Sequence, residues 1–124
     1  MNKAVIYTRS TESDSLQERV CRQYAETNGY EVIHIYSDFG HCKENAAFQT
    51  LLKDSETAEW SAVIFYSPDR IARNPHKFFD YRRLLKARRI RMLCVTAEKS
   101  DEEEFFDFLD AFYNKYLKRS KNRI

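Results

Sequence analysis

Glycine and proline are scarce in this sequence, which has two of each among 124 residues. Long structureless loops and low-complexity linkers contain more of both, so we do not expect such segments. No apolar run approaches the roughly 20 residues that a membrane-spanning helix requires. The apolar stretch at the N-terminus ends at Thr8 and is too short for a signal peptide. These absences predict a single cytoplasmic domain over residues 1–124 that does not contact a membrane.

Cysteines are also few, and their spacing argues against a metal site. Cys21, Cys42 and Cys94 are an odd number, lie far apart and form no Cys-x-x-Cys pair. The adjacent His41 and Cys42 lack the two further ligands that a zinc ion needs. The sequence also lacks a glycine-rich phosphate loop and the Gly-x-Gly-x-x-Gly pattern of dinucleotide sites. We therefore expect reduced thiols, no metal and no nucleotide cofactor.

Apolar and aromatic residues, in contrast, are abundant. Hydrophobic residues make up 43% of the chain and include eight Tyr and nine Phe, enough for one packed core. Short apolar runs typical of buried strands lie at 4–7, 31–36, 62–66 and 90–95. Helical patterns separate these runs and give the order βαβαβαβα. This order predicts an α/β fold with a mostly parallel four-stranded sheet and right-handed crossovers.

Each predicted helix has a recognisable beginning or end and an apolar face. The first follows Ser13 or Asp14 as capping residue and ends at Gly29. Two later helical segments open at Pro68 and Pro75, because proline suits the first helical position. The residues expected to face the sheet are Leu16, Val20 and Tyr24 in the first helix, Phe48, Leu51 and Leu52 in a helix at about 46–53, and Phe78, Tyr81 and Leu85 in the helix after Asn74.

Polar residues follow the first three predicted strands. In a parallel sheet the carboxyl ends of the strands meet at one edge, and ligands bind there. Guanidinium groups stay charged and match phosphate oxygens, so a hydroxyl beside several of them is suited to attack phosphorus. Two aspartates in the same set would orient the arginines. The candidate catalytic residues are Arg9, Ser10, Thr11, Asp38, Asp69, Arg70 and Arg73.

Three segments resemble motifs of the serine recombinases of the resolvase/invertase family. Residues 7–11, followed by Ser-Leu-Gln at 15–17, resemble the family's Tyr-x-Arg-x-Ser-Thr opening and its Ser-Leu-x-x-Gln. Residues 36–40 resemble its second-strand aspartate segment. Residues 66–73 resemble its Tyr-x-x-Asp-Arg-Leu-x-Arg element, the most specific of the three. The order and spacing of elements match from residue 3 to about 120.

The resemblance implies a resolvase-like catalytic domain of three layers with a long C-terminal helix. It also implies site-specific recombination of the kind found in mobile genetic elements and DNA integration. In that reaction DNA is cleaved to a phosphoserine intermediate, the subunits rotate and the strands are rejoined, without a metal or nucleotide cofactor. The catalytic arginines and aspartates of the family correspond here to Arg9, Asp38, Asp69, Arg70 and Arg73.

The segment around the expected nucleophile departs from the family pattern. The family has one residue between the arginine and the nucleophilic serine, which places Thr11 there, whereas Ser10 directly follows Arg9. The stretch 7–15 is also one residue short. We favour Ser10 as the nucleophile because a primary alcohol is less hindered than the β-branched threonine hydroxyl. Thr11 is the alternative nucleophile.

Two further departures favour a different class of function. Arg19 stands where the family has a glutamine early in the first helix. Asn45 or Ala46 stands where it has an arginine at the second helix, and Lys43 replaces that arginine only in part. The alternative hypothesis is a catalytically impaired resolvase-like protein that acts as a dimerising regulatory or DNA-associated module. A flavodoxin-like nucleotide-binding module shares the element order but requires the phosphate loop that this sequence lacks.

A final helix is predicted at about 100–120, with apolar residues over nearly half its circumference. This face is wider than packing against one side of a sheet requires. A second copy of the chain is the simplest partner, so we expect a homodimer or a higher homo-oligomer. The predicted interface residues are Phe105, Phe108, Leu109, Phe112 and Tyr116.

Basic residues are clustered in two segments. Nine residues between 68 and 92 are Lys or Arg, against two acidic residues, and a second basic group lies at 115–123. Such clustering is typical of a surface that binds a polyanion such as DNA, although solvated helix faces show it too. No separate DNA-binding domain is expected in these residues. The candidate DNA contacts are Arg82, Arg83, Lys86, Arg88, Lys118, Arg119 and Lys121.

Overall fold

The computed structural model describes residues 2–10, 16–39, 45–72, 75–96 and residue 111. Four parallel strands form one sheet in the order β2-β1-β3-β4. This confirms the predicted α/β architecture. The predicted helix at about 100–120 lies outside the described residues apart from Ala111, which is helical. The elements are β1 (Asn2–Ser10), α1 (Leu16–Thr27), β2 (Tyr30–Phe39), α2 (Ala46–Asp54) with a 3₁₀ turn (Ser55–Thr57), β3 (Ala62–Phe65), α3 (Pro68–Ile71), α4 (Pro75–Ala87) and β4 (Arg91–Cys94).

Helices pack on both faces of the sheet. On one face, Cys21 and Ala25 of α1 contact a cluster that includes Ile6 and Ile64. The opposite face is covered from α2, α3 and α4. The central strand β3 is buried along its whole length, as expected for a parallel strand covered on both sides. The buried side chains on the second face include Phe48, Leu51, Ile71, Phe78 and Leu85, and the partly buried Tyr81 packs against them, which confirms the sheet-facing residues predicted for α2 and α4.

The most buried row of α1 is displaced by one residue from the predicted row, of which Tyr24 still packs, partly buried, against the same cluster. Leu16, which was expected to face the sheet, is 51% exposed, whereas Gln17 is 5% exposed. Cys21 and Ala25 continue the buried row at the same four-residue spacing. One residue corresponds to a rotation of about 100° around the helix. Cys21 and Ala25 have small side chains, which allow the helix to lie close to the strands.

An extra residue in β2 decides which side chains face the candidate site. Ala4 pairs with Val32 but Val5 pairs with His34, so Ile33 is left unpaired as a bulge. Val32 and Ile35 therefore pack on the α1 face although they are three residues apart. Tyr36 packs on the opposite face. Without the bulge, every β2 side chain after it would point to the other face of the sheet.

Two strands extend further than the sequence indicated. The apolar runs predicted β1 to end at Tyr7 and β2 to end at Tyr36, but β1 continues to Ser10 and β2 to Phe39. It remains paired with β2 through Ser10 and Phe39. Periodicity of apolar residues does not predict these pairs, because main-chain hydrogen bonds form without regard to side-chain polarity. Both strands thus carry polar residues to the carboxyl edge of the sheet.

Helix α4 is followed by a left-handed turn at Arg89, a position where glycine is more common. Arg89 has φ of 61°, and the amides of Arg89 and Ile90 donate to Lys86 and Leu85 as in a Schellman motif. We expect Arg89→Gly to raise the free energy of unfolding by about 1 kcal/mol, since glycine adopts positive φ without a steric cost. Urea denaturation measures this. Arg22→Gly in the middle of α1 is the matched control and should lower stability; a loss at Arg89 as well would contradict the prediction.

The thiol of Cys21 is fully buried against the sheet, and burial raises its pKa to about 12. The ordinary value is 9.0, so above pH 9 the unfolded chain releases a proton that the folded chain retains up to about pH 12. The free energy of unfolding should therefore fall with rising pH across this window. We expect Cys21→Ala to reduce that slope by up to about 1.4 kcal/mol per pH unit. Urea denaturation at several pH values under reducing conditions measures the slope, and parallel profiles would contradict the prediction.

Candidate functional site

The carboxyl ends of the strands bring three of the predicted catalytic residues together. Arg9 of β1 lies opposite Asp38 of β2 in the strand register. Arg70 follows β3, and its Nη1 donates to the carbonyl oxygen of Arg9 at 3.4 Å. These residues are far apart in the sequence, and they meet because parallel strands end at the same edge.

Asp38 uses both carboxylate oxygens to hold neighbouring elements. Its Oδ1 accepts a hydrogen bond from the amide of Ala47 at 2.8 Å, and its Oδ2 accepts one from the amide of Phe48 at 3.1 Å. The residue at the N-cap position of α2, Asn45, makes no capping hydrogen bond with its side chain. Asp38 therefore caps α2 from the neighbouring strand, where its negative charge also suits the positive end of the helix dipole.

Tyr7 completes the hydrogen bonding of the Asp38 carboxylate. The Tyr7 hydroxyl donates to Asp38 Oδ2 at 2.7 Å, and the tyrosine side chain is fully buried. Burial raises the pKa of the Tyr7 phenol, and the nearby carboxylate of Asp38 raises it further, against a lowering influence of Arg9. The phenol stays neutral at ordinary pH. It therefore serves as a donor that fixes Asp38, not as a base.

Gln17 is a site residue that the sequence did not single out. Its Nε2 donates to the carbonyl oxygen of Arg9 at 2.8 Å, and its Oε1 accepts from the Arg9 amide at 3.3 Å. Arg19, which stands at the expected glutamine position, is exposed on α1. The sequence did contain one pattern that could have identified Gln17. It is spaced by four residues from Cys21, which is followed by Ala25 at the same spacing, and this places a glutamine in the buried row of α1.

Arg70 has a buried nitrogen with unused hydrogen-bonding capacity. Its Nε has no hydrogen-bond partner among the described residues and is shielded from solvent. A buried donor without an acceptor costs about 1–3 kcal/mol. Because Nε is shielded, a bound phosphate would be contacted through the terminal nitrogens of a guanidinium, which match phosphate oxygens.

Several predicted site residues are not tested by the geometry. Thr11 and Arg73 lie outside the described residues. Ser10 and Asp69 are described by their main chain alone, Ser10 as the last residue of β1 and Asp69 within α3. The choice between Ser10 and Thr11 as nucleophile therefore stays a prediction.

The basic residues of α4 have different surroundings. Arg82 is 7% exposed, and the guanidinium of Arg83 lies over the Phe79 ring at 4.4 Å. Arg88 donates to the Leu52 carbonyl at 2.7 Å and also bonds Ser55, so it joins α4 to the end of α2. Because α4 runs from the carboxyl edge of β3 to the amino edge of β4, Arg88 lies at the edge opposite Arg9 and Arg70.

The remaining predicted contacts lie outside the described part of the chain. Within that part, no His, Cys, Asp and Glu side chains form a group of three suited to hold a metal ion. None of its helices is both long and apolar enough to traverse a lipid bilayer. The residues outside that part are the DNA candidates Lys118, Arg119 and Lys121 and the interface candidates Phe105, Phe108, Leu109, Phe112 and Tyr116, and all predicted DNA contacts, including Arg82, Arg83, Lys86 and Arg88, stay predictions.

The fold is an α/β domain, a parallel sheet with helices on both faces. Its site is polar and cationic, because two arginines and an aspartate lie at the carboxyl edge of the sheet. The family model described as the resolvase N-terminal domain matches residues 4–123, and the chain belongs to this family. The resemblance seen in the sequence is thereby confirmed. A search of curated proteins gives no match.

Solved structures with the same fold are serine recombinase domains. The N-terminal catalytic domain of TP901-1 integrase is 26% identical, with a TM-score of 0.79, over 95% of this chain and 98% of that one. A resolvase family site-specific recombinase from Streptococcus pneumoniae is 20% identical, with a TM-score of 0.77, over 99% and 91%. A serine recombinase from Sulfolobus solfataricus is 21% identical, with a TM-score of 0.60, over 98% of both chains. The last two show similarity of fold.

Proposed function

We propose that this chain is the catalytic domain of a site-specific DNA recombinase that cleaves and rejoins DNA through a phosphoserine intermediate. The observation that carries the proposal is the convergence of Arg70 on the carbonyl of Arg9, the residue before the candidate nucleophile Ser10. A guanidinium at this position suits a phosphate oxygen. Family membership and the similarity to serine recombinase domains support the same function.

In the proposed reaction the Ser10 hydroxyl attacks the phosphorus of a DNA phosphodiester. A bond forms between Ser10 Oγ and phosphorus, the bond to one sugar oxygen breaks, and that oxygen takes up a proton. In the reverse step a sugar hydroxyl attacks the phosphoserine and releases the serine hydroxyl. Arg9, Arg70 and Arg73 stabilise the negative charge that accumulates on the phosphoryl oxygens, without a metal or nucleotide cofactor.

The two aspartates of the predicted set would contribute through position. Both oxygens of Asp38 are already hydrogen-bonded to α2 and Tyr7, so we assign it the task of placing the start of α2 beside the site. Asp69 precedes Arg70 in α3 and is proposed to orient the arginines.

DNA is the proposed partner, and it would lie against the carboxyl edge of the sheet. Contacts would be made mainly with phosphates, since arginine and lysine side chains pair with phosphate oxygens without reading the sequence. Lys118, Arg119 and Lys121 remain proposed contacts. Arg88, which bonds the end of α2 at the opposite edge, is a weaker candidate than the sequence suggested. Self-association through the predicted helix at about 100–120 is also proposed.

A covalent adduct is the direct test of the function. The parent chain is expected to form a protein–DNA adduct on a nicked suicide substrate, which traps the phosphoserine before rejoining. Ser10→Ala should abolish the adduct, and Thr11→Ala should retain it. The reverse result would assign the nucleophile to Thr11.

The same experiment distinguishes the alternative function. The described start of α2 consists of Asn45, Ala46 and Ala47 and contains no arginine, which favours a catalytically impaired, dimerising module. If the parent binds DNA but gives no adduct even when joined to a DNA-binding domain, that alternative is correct.

A further inference from the structure

The peptide group that joins Arg9 to Ser10 is held by two side chains from outside β1. Strand β3 pairs with β1 from Ala4 to Tyr7, so Arg9 lies two residues beyond the last pair. At Arg9, Gln17 and Arg70 supply hydrogen bonds instead. Gln17 Nε2 and Arg70 Nη1 both donate to the Arg9 carbonyl oxygen, at 2.8 Å and 3.4 Å.

Gln17 is suited to act as a substitute for the missing strand. A side-chain amide has a carbonyl oxygen that accepts and an NH2 group that donates, and a neighbouring peptide would likewise offer an acceptor and a donor. Here the Gln17 side-chain oxygen accepts from the Arg9 amide, and the Gln17 side-chain nitrogen donates to the Arg9 carbonyl oxygen. The side chain is 5% exposed, so water competes little for these bonds.

We infer that Gln17 is a positioning residue for the recombination reaction: it fixes the main chain at Arg9 and thereby places the nucleophile at residue 10 and the guanidinium of Arg70 relative to the scissile phosphate. This inference rests on the proposed function. In-line attack on phosphorus tolerates little misplacement, so loss of this contact should affect the chemical step more than DNA binding.

The test uses Gln17→Met, which keeps the length of the side chain but neither hydrogen bond, and Gln17→Glu, which keeps the acceptor but loses the donor to the Arg9 carbonyl. Gln23→Met is the matched control, because Gln23 is exposed on the same helix. For both Gln17 variants we expect adduct formation on a suicide substrate to slow by about 100-fold. The dissociation constant for the same DNA should change by less than about twofold, because Gln17 is buried and makes no phosphate contact.

A second measurement does not depend on activity. Amide hydrogen exchange, followed by NMR, should accelerate at Arg9 by at least about 10-fold in Gln17→Met, while Ile6 and Ile64 in the sheet core stay protected. Unchanged exchange at Arg9 would overturn the inference. Faster exchange with an unchanged adduct rate would overturn it too, since the contact would then have no bearing on the chemistry.

Failure of the proposed function is distinguishable from failure of the inference. If the parent forms no adduct even when joined to a DNA-binding domain, the recombinase proposal fails, and a catalytic positioning role fails with it whatever the exchange data show. If the parent forms the adduct and the Gln17 variants match Gln23→Met in rate, the inference alone is wrong.

Discussion

Replacing Arg70 by alanine is expected to slow formation of the protein–DNA adduct by about 1,000-fold or more, because a guanidinium that stabilises phosphoryl charge contributes on that scale. Arg70 is placed by α3 directly after the central strand β3, with Nη1 on the Arg9 carbonyl and a buried Nε that has no acceptor among the described residues. Arg70→Lys should recover little of the rate, since an ammonium group is a point charge and cannot present two parallel donors.

The measurement is single-turnover adduct formation at saturating DNA, which separates the chemical step from binding. Arg22→Ala is the matched control: it removes an exposed arginine from α1 that pairs with Glu18 at 3.3 Å. It should react at the parental rate. Adduct formation by Arg70→Ala within tenfold of the parent would show that Arg70 does not stabilise the transition state.

Replacing Asp38 by alanine is expected to lower the free energy of unfolding by about 3 kcal/mol, because charge-assisted hydrogen bonds are lost and buried donors are left without acceptors. Its carboxylate accepts from the amides of Ala47 and Phe48 and from the buried hydroxyl of Tyr7. Adduct formation should also fall, since the start of α2 would lose its link to β2.

A double-mutant cycle with Tyr7→Phe isolates one part of this effect. In the parent, Tyr7→Phe removes a hydrogen bond. In the Asp38→Ala background it removes a donor that is already unpaired, so it should lower the free energy of unfolding by about 1–2 kcal/mol less than in the parent. Tyr30→Phe is the control, because its hydroxyl accepts an exposed hydrogen bond from Arg91 at 3.3 Å. Additive effects of Tyr7→Phe and Asp38→Ala in urea denaturation would contradict the proposed coupling.

Where the sequence was informative, it was so through local patterns. Apolar runs located all four strands, and proline at the first helical position located the starts of α3 and α4. Gly29, with φ of 78°, ends the α1 segment as predicted. The motifs around Arg9, Asp38 and Arg70 identified residues that the fold brings to one edge of the sheet. Each of these signals is contained within a few consecutive residues.

Where the sequence failed, the deciding interaction was between distant segments. The row Leu16, Val20 and Tyr24 is more apolar than the row of Gln17, but α1 packs through the latter because its residues allow a closer approach to the sheet. Amphipathic periodicity gives the spacing of a face, and the partner surface selects which face is buried.

Local sequence patterns were sufficient for the order of the elements, the parallel sheet and the residue types at its carboxyl edge, because hydrophobic periodicity and turn chemistry are local properties. How those residues are used depends on contacts between distant segments of the fold. The bulge at Ile33 sets the face on which Asp38 lies. Because β3 ends at Phe65, Gln17 and Arg70 form the hydrogen bonds to the Arg9 main chain that a longer strand would form. Strand register and the ends of strand pairing depend on hydrogen bonds between segments that no local pattern specifies.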